Sequence, residues 1–391
     1  MIAMKEIFNE LMFNVIQSVI CGNHLSENTK EGLRNSDTAS AIITIAKRHD
    51  IAHMVAYGLL NNKLVDDIDN QIHFLIYRKI HRHETLNYEL TRIVDVLEKN
   101  KIPFIPLKGS VIREHYPEPW MRNSCDIDVL VHTENLEVAI SCLVKNLQYI
   151  EGERTTHDVS LFSPQKVHVE LHFDLVEEGR AKSAIEVLEH VWDNVSAHQG
   201  YKYWHDMTDE YFYFYHIAHM AKHFETGGCG IRPFIDLWIL DHMNNVDRVA
   251  RDALLSQGNL LKFTTVAREL SEVWFGGREA NEITLQMQNF ILHGGVYGST
   301  DNRVAIQQKK KGGRFGYVLS RVFVPYAKLK RYYPVLEKHR WLMPIMQIRR
   351  WFMLLKPDVA RMAKKEMAVN KRIERSEANV MNDFLENIGL N

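Results

Sequence analysis

The stretch that most constrains the fold of this 391-residue chain is Asp126-Ile127-Asp128-Val129-Leu130-Val131. Its aliphatic, largely β-branched residues make a strand. Side chains along a strand alternate faces, so Asp126 and Asp128 point the same way, opposite Ile127 and Val129. Two carboxylates side by side repel each other unless a cation sits between them. Oxygen ligands next to a phosphate-bearing substrate suit Mg²⁺ (or Mn²⁺). Upstream, Phe104-Ile105-Pro106-Leu107 reads as a strand ending at Lys108, and Gly109-Ser110 turns into a short helix over 111–115. Exposed backbone N–H groups at such a turn are an anion site.

The surrounding sequence predicts an α+β chain with four regions. Residues 1–100 read as N-terminal helices, with apolar residues at helical spacing over 42–60 and few breakers over 71–99. The consecutive His81, Arg82, His83 and Glu84 fit a solvated helix face. Residues 101–204 form the mixed-sheet core, with strands over 102–107 and 126–131, a helix over 134–146 and a further strand near 148–152. Lys166 to Asp174 alternates, with Val167, Val169, Leu171 and Phe173 on one face and His168, Glu170, His172 and Asp174 on the other. Residues 205–300 read as helical, and His216, His219 and His223 share one face of a helix over 211–224. Arg232 and Asp236 open the next helix. The glycines and lysines of 294–316 read as a loop or linker, and 301–391 as a basic helical segment.

This order of elements resembles the nucleotidyltransferase (DNA polymerase beta-like) superfamily: strand, Gly-Ser, helix, then Asp-x-Asp on the next strand. LKGSVIREHYP, Arg122 and DIDVLV look like a family of uncharacterised nucleotidyltransferases, whose members carry LKG, YP, R and DIDLLV-like elements in this order. VELH over 169–172 and Ile231-Arg232 followed by Asp236 continue the resemblance. Two features depart from the superfamily pattern. Fifteen residues, 111–125, separate Ser110 from Asp126, and Cys125 stands where a small glycine is common. With Pro117 and Pro119, the extra length reads as an inserted loop.

The resemblance implies a nucleotidyltransferase-fold core and a metal-dependent enzyme. A nucleoside triphosphate, ATP among the candidates, would lie against Gly109 and Ser110. Asp126, Asp128 and a third carboxylate, Glu170, with Asp174 as second choice, would hold divalent ions. Two ions so placed stabilise both the attacking and leaving oxygens of an in-line displacement. Lys108 is a candidate phosphate partner, and so is Arg122, whose other reading is a pair with a core carboxylate. His219 and Arg232 are candidates to close the cleft over nucleotide or acceptor. The acceptor is not legible. The other readings are a catalytically inactive nucleotide-binding regulator and an interaction protein recruited to a surface.

Charge is unevenly spread. Residues 303–391 carry 20 Lys and Arg against 7 Asp and Glu, a net +13, while the other 302 carry 28 against 42, a net −14. The basic segment interleaves Phe315, Tyr332, Tyr333, Trp341, Trp351 and Phe352 with its cations. Three partners fit it: the acidic body of the chain, an anionic membrane surface, or a nucleic acid or charged polymer. Pro325, Pro334, Pro344 and Pro357 divide it into short helices. No apolar run reaches the roughly 18 residues of a membrane span. The N-terminus reads as an amphipathic helix with no signal-peptide pattern, and four scattered cysteines without metal-ligand spacing fit a reducing cytoplasm.

Overall fold

The computed structural model describes residues 2–65, 70–176 and 182–390. The chain forms two compact units. The first, here the sheet unit, comprises 1–222 and 230–288, and the second, the basic unit, comprises 223–229 and 289–391.

The main sheet of this unit has five strands among the described residues: β1 Phe104–Pro106, β2 Asp126–Val131, β3 Ile150–Arg154, β4 Asp158–Phe162 and β5 His168–His172. Their order across the sheet is β1-β2-β5-β4-β3. Only β2 and β5 run parallel; the other neighbours are antiparallel, so the sheet is mixed. A separate hairpin pairs β6 Val195–Ala197 with β7 His205–Met207. The expectation of strands over 102–107 and near 148–152 corresponds to β1 and β3, and β4 is an additional strand that inserts between β3 and β5.

Alternation along β2 and β5 sets the two faces of the sheet. Ile127, Val129 and Val131 of β2, with Val169 and Leu171 of β5, are fully buried. They pack with Leu86, Ile93 and Leu97 of helix Asn70–Lys99 and Ala139 and Leu143 of helix Leu136–Leu147. Glu89, buried on the long helix, is held by the Tyr149 hydroxyl at 2.6 Å and by Arg92 at 3.2 Å. The opposite face of β2 and β5 keeps Asp126, Asp128, His168 and Glu170.

The N-terminal third is helical, as its spacing predicts: Ile2–Cys21, Glu27–Leu33, Ser36–Arg48, Ala52–Asn61 and Asn70–Lys99. Ser26 and Asn35 cap two of these helices by accepting from the amides of Thr29 and Asp37. The inserted segment 111–125 is compact. It makes two short 3₁₀ turns, Arg113–His115 and Pro119–Met121, and buries Tyr116, Trp120 and Met121. His53 Nε2 donates to the Met121 carbonyl at 2.8 Å, and Trp120 meets Tyr57 edge-on.

In the basic unit the reading of 294–316 as a loop requires correction. Thr300–Lys310 is a helix, capped by Ser299, which accepts from the Asn302 amide. Gly294, Gly298, Gly312 and Gly313 bracket this helix rather than interrupt it. The prolines act as expected, standing at or next to the starts of helices Tyr326–Tyr332, Val335–Lys338, Met343–Phe352 and Pro357–Arg372. No helix among the described residues is long and apolar enough to cross a membrane.

Candidate active site

Register across β2 and β5 assembles the candidate site. In this parallel pair Asp126 lies beside His168, and Asp128 beside Glu170. One group, Asp128, Glu170 and His172, and another, Asp126, His168 and Glu170, each bring their ligand atoms within 4.8 Å of one another. Glu170 is shared by both groups. Asp174 lies past the end of β5, and its carboxylate accepts from the Val176 amide at 2.8 Å.

The two aspartates differ electrically. Asp128 is buried, and its Oδ1 accepts from Lys108 Nζ at 2.8 Å and from His172 Nε2 at 2.9 Å. Burial opposes the charge, but the Lys108 ammonium and His172 hold the Asp128 carboxyl well below the usual range. Asp126 behaves in the opposite sense. Burial, then Asp128, then Glu170 raise its carboxyl. No ion pair to Asp126 is formed among the described residues. Asp126 and Glu170 are both partly accessible, and Glu170 has His172 at 3.4 Å and His168 at 4.0 Å beside it. This all-oxygen donor pair beside a third, firmly oriented carboxylate fits a divalent cation such as Mg²⁺ or Mn²⁺.

Lys108 reaches Asp128 from a strained turn. Its φ of 47° and ψ of −119° are those of the first central residue of a type II′ turn, a position that favours glycine. The Ser110 amide closes the turn on the Leu107 carbonyl at 3.1 Å. A lysine in this conformation, of order 1–3 kcal/mol above a relaxed one, aims its ammonium at the carboxylates. Burial opposes the ammonium's charge, but Asp128 and Tyr215 raise its pKa.

The turn does less for an anion than its sequence suggests. The amides of Ser110, Val111 and Ile112 bond to the carbonyls of Leu107 and Lys108, so they are used internally. Gly109 is buried, and a Cβ on it would stand 2.0 Å from Ser124 Oγ. Close packing against Ser124 is sufficient reason for glycine there. Ser110 is half-buried and follows directly after the turn.

Arg122 and Arg232 are engaged in a buried network. Arg122 Nε donates to Asp236 Oδ1 at 2.6 Å, and Arg122 Nη1 to the Asn123 carbonyl at 3.0 Å. Tyr116 donates to the same Asp236 oxygen at 2.6 Å. Arg232 Nη1 donates to the Asn123 carbonyl at 2.9 Å, and Asn123 donates to Asp50 at 2.7 Å. This network ties the inserted segment to helix Arg232–Asp241 and to the N-terminal helices.

Helix Asp209–Glu225 contributes a cation that the sequence reading did not single out. Burial, then Lys108, push the Lys222 ammonium down to about 8, while Glu170 and Asp158 act in the other direction. Half-buried His219 lies one turn before Lys222 on the same helix. His216 Nε2 donates to the Pro233 carbonyl at 3.1 Å, which gives it an internal role. Lys222 continues the face marked by His219, at the i+3 position, and that spacing was its signal in the sequence. Arg113, also unsignalled, is buried with Nε donating to the Gly109 carbonyl at 2.6 Å.

Comparison with known proteins bears on one part of this picture. The profile of a family described as "Uncharacterised nucleotidyltransferase" matches residues 35–276, well over half of the chain. No curated protein and no solved structure matches.

Proposed function

The chain belongs to this family of uncharacterised nucleotidyltransferases, and we propose that it moves a nucleoside monophosphate from a nucleoside triphosphate to an acceptor hydroxyl or phosphate, breaking the α–β anhydride bond and releasing pyrophosphate. The observation that carries the reading is the register of β2 on β5, which sets Asp126 and Asp128 beside Glu170 on the open face of the sheet. These three carboxylates would hold divalent metal, Mg²⁺ or Mn²⁺. Bound there, the metal would supply charge neutralisation for the triphosphate and for the reacting oxygens.

The protein's own groups have separable tasks in this reading. Lys108 and His172 fix the orientation of Asp128 through its Oδ1. Asp126 and Glu170, less engaged, present the remaining oxygens. Lys108 and Lys222 provide fixed positive charge for the phosphates, and the Ser110 hydroxyl a donor beside them. Arg122 and Arg232 act on the site through the Asp236 network that seats the inserted segment. Catalysis here is positioning and electrostatic stabilisation, because phosphoryl chemistry asks little covalent work of the protein.

A second reading, a nucleotide-binding regulator without turnover, draws on the Lys108 ammonium bonded to Asp128, a cation already placed in the carboxylate cluster. One experiment separates the two. Labelled triphosphates are incubated with the protein, Mg²⁺ or Mn²⁺, and cell extract. Metal-dependent transfer of label to an acceptor, lost in Asp126→Asn/Glu170→Gln, supports the transferase. Metal-dependent binding with no label transferred supports the regulator.

A further inference from the structure

We propose that the basic unit docks on an anionic lipid surface through an apolar face formed by helices Arg314–Val322 and Met343–Phe352. The first observation is the orientation of these helices. On the second, Gln347 is buried and donates to the Val324 carbonyl at 2.5 Å, while Ile345, Ile348 and Phe352 are 51%, 49% and 64% exposed. Their spacing of three and four residues puts them on one face. On the first, Phe315, Leu319 and Val322 repeat the same spacing, and they are exposed too, as is the adjoining Phe323. An amphipathic helix in a water-soluble core turns its polar face out; these two turn apolar faces out.

The two faces meet. Phe323 packs edge-on against Trp351 at 5.8 Å between ring centres, and Trp351 Nε1 donates to the Val322 carbonyl at 2.9 Å. Exposed Trp341 precedes the second helix and exposed Leu355 follows it. Exposed apolar residues grouped on helix faces in this way mark an interaction site.

Charge selects the occupant. The basic unit holds 20 Lys and Arg against 9 Asp and Glu, a net +11. Exposed Arg349 adjoins Ile348 on the second helix, and exposed Lys356 follows that helix. Long cationic side chains beside an apolar face, with a tryptophan at its margin, suit the headgroup level of an anionic bilayer. A second copy of the unit would bring like charges together. Stacking on nucleic acid would use Phe315, Phe323, Trp341 and Phe352 but leave the aliphatic Leu319, Val322, Ile345, Ile348 and Leu355 without a role, whereas a bilayer takes up both kinds. Short helices separated by prolines fit shallow seating in the interface, and none is able to span it.

The test uses the full chain and vesicles of phosphatidylcholine with or without about one-third phosphatidylserine, the anionic lipid that attracts basic surfaces. Expected results are co-sedimentation with the anionic vesicles at low salt, weaker binding at physiological salt, and little binding to neutral vesicles. Ile345→Ser/Ile348→Ser/Phe352→Ser should weaken binding by at least about tenfold with an unchanged melting temperature. Independently of that variant, brominated lipid should quench fluorescence in the unaltered chain, and Trp341→Phe should remove most of the quenching. The proposal is overturned if the unaltered chain stays in the supernatant at low salt, or if a folded triple variant binds as tightly as the parent. It is equally overturned if single-stranded RNA captures the chain from vesicles, or if the face proves to be a dimer contact that the triple variant abolishes.

Discussion

In the sheet unit, Ile127, Val129 and Val131 turn inward from β2, and of the carboxylates on the other face Asp126 and Glu170 are left partly accessible. In the basic unit, helix Met343–Phe352 turns Gln347 inward and leaves Ile345, Ile348 and Phe352 in solvent. Both arrangements follow from periodicity, period two on the strand and 3.6 on the helix. They differ in what the exposed face is for. The strands β2 and β5 bury their apolar face and turn toward the other side charge that invites a cation. The basic unit has small separate cores, one around Val304, Tyr317 and Val369 and one around Val324, Leu329 and Leu336, and exposes apolar surface among cations. Mutations should therefore be costly in the first and nearly silent in stability on the exposed face of the second.

The largest expected effect is at Asp236. Asp236→Ala removes the carboxylate that Arg122 and Tyr116 both use, leaving a buried guanidinium unpaired. Breaking a buried pair in this way costs about 3–5 kcal/mol, measured as a fall in the urea midpoint. A loss below about 1 kcal/mol, the level of an exposed pair, would contradict the buried network.

Acid should come next. Burial, the largest cause in both cases, pushes His49 and His53 down to about 4 from 6.5. Between these values the unfolded chain takes up protons that the folded chain refuses, so stability falls as pH falls through that window. Each histidine accounts for up to about 3 kcal/mol of the loss. Neither ring nitrogen of His49 has a hydrogen-bond partner among the described residues. His49→Leu should flatten the acid limb of a urea-midpoint profile without lowering stability at pH 7; an unaltered limb would mean that His49 titrates normally in the fold.

Gly109→Ala is expected to cost about 1–3 kcal/mol, in the range of overpacking, because its Cβ would collide with Ser124 Oγ. Ser124→Gly in the same chain should recover much of that loss. No recovery would move the reason for glycine back to the ligand. At the small end, Ile345→Ser and Ile348→Ser should each stay within about 0.5 kcal/mol of the parent, as ordinary surface positions do. A loss of 2 kcal/mol or more at either would mean that the face is packed, and the contrast between the units would fail.

Much of the fold was legible because it is local. DIDVLV is β2 to the residue, and VHVELH marks β5 through its alternation. The prolines announced the short helices of the basic unit. The strand Asp158–Phe162 escaped notice because five residues with Asp158 and Ser160 among them carry little alternation, and its pairing with β5 is a tertiary fact. Helix Thr300–Lys310 was hidden by the glycines on either side of it. That Asp126 and Asp128 share one face of β2, and that Glu170 lies on the polar face of β5, could be read from strand period. The Lys108 contact could not, since it depends on a turn conformation that lysine seldom adopts. Arg122 and Asp236 are 114 residues apart, so no local pattern chooses between a phosphate and a carboxylate as the arginine's partner.

Asp126 and Glu170, with Asp128 held beside them, are proposed to form a divalent-cation site for a nucleoside triphosphate. Asp128 is a poor test of it, because neutralising that residue strips Lys108 and His172 of their partner. Asp126→Asn/Glu170→Gln removes charge from the two partly accessible carboxylates instead. Calorimetry with triphosphate and Mg²⁺ or Mn²⁺ should show metal-dependent binding to the parent chain. The double variant should lose at least about tenfold in affinity, or about 1.4 kcal/mol, at an unchanged melting temperature. Equal metal-dependent affinity in the two proteins would contradict the account and place the cation away from these strands.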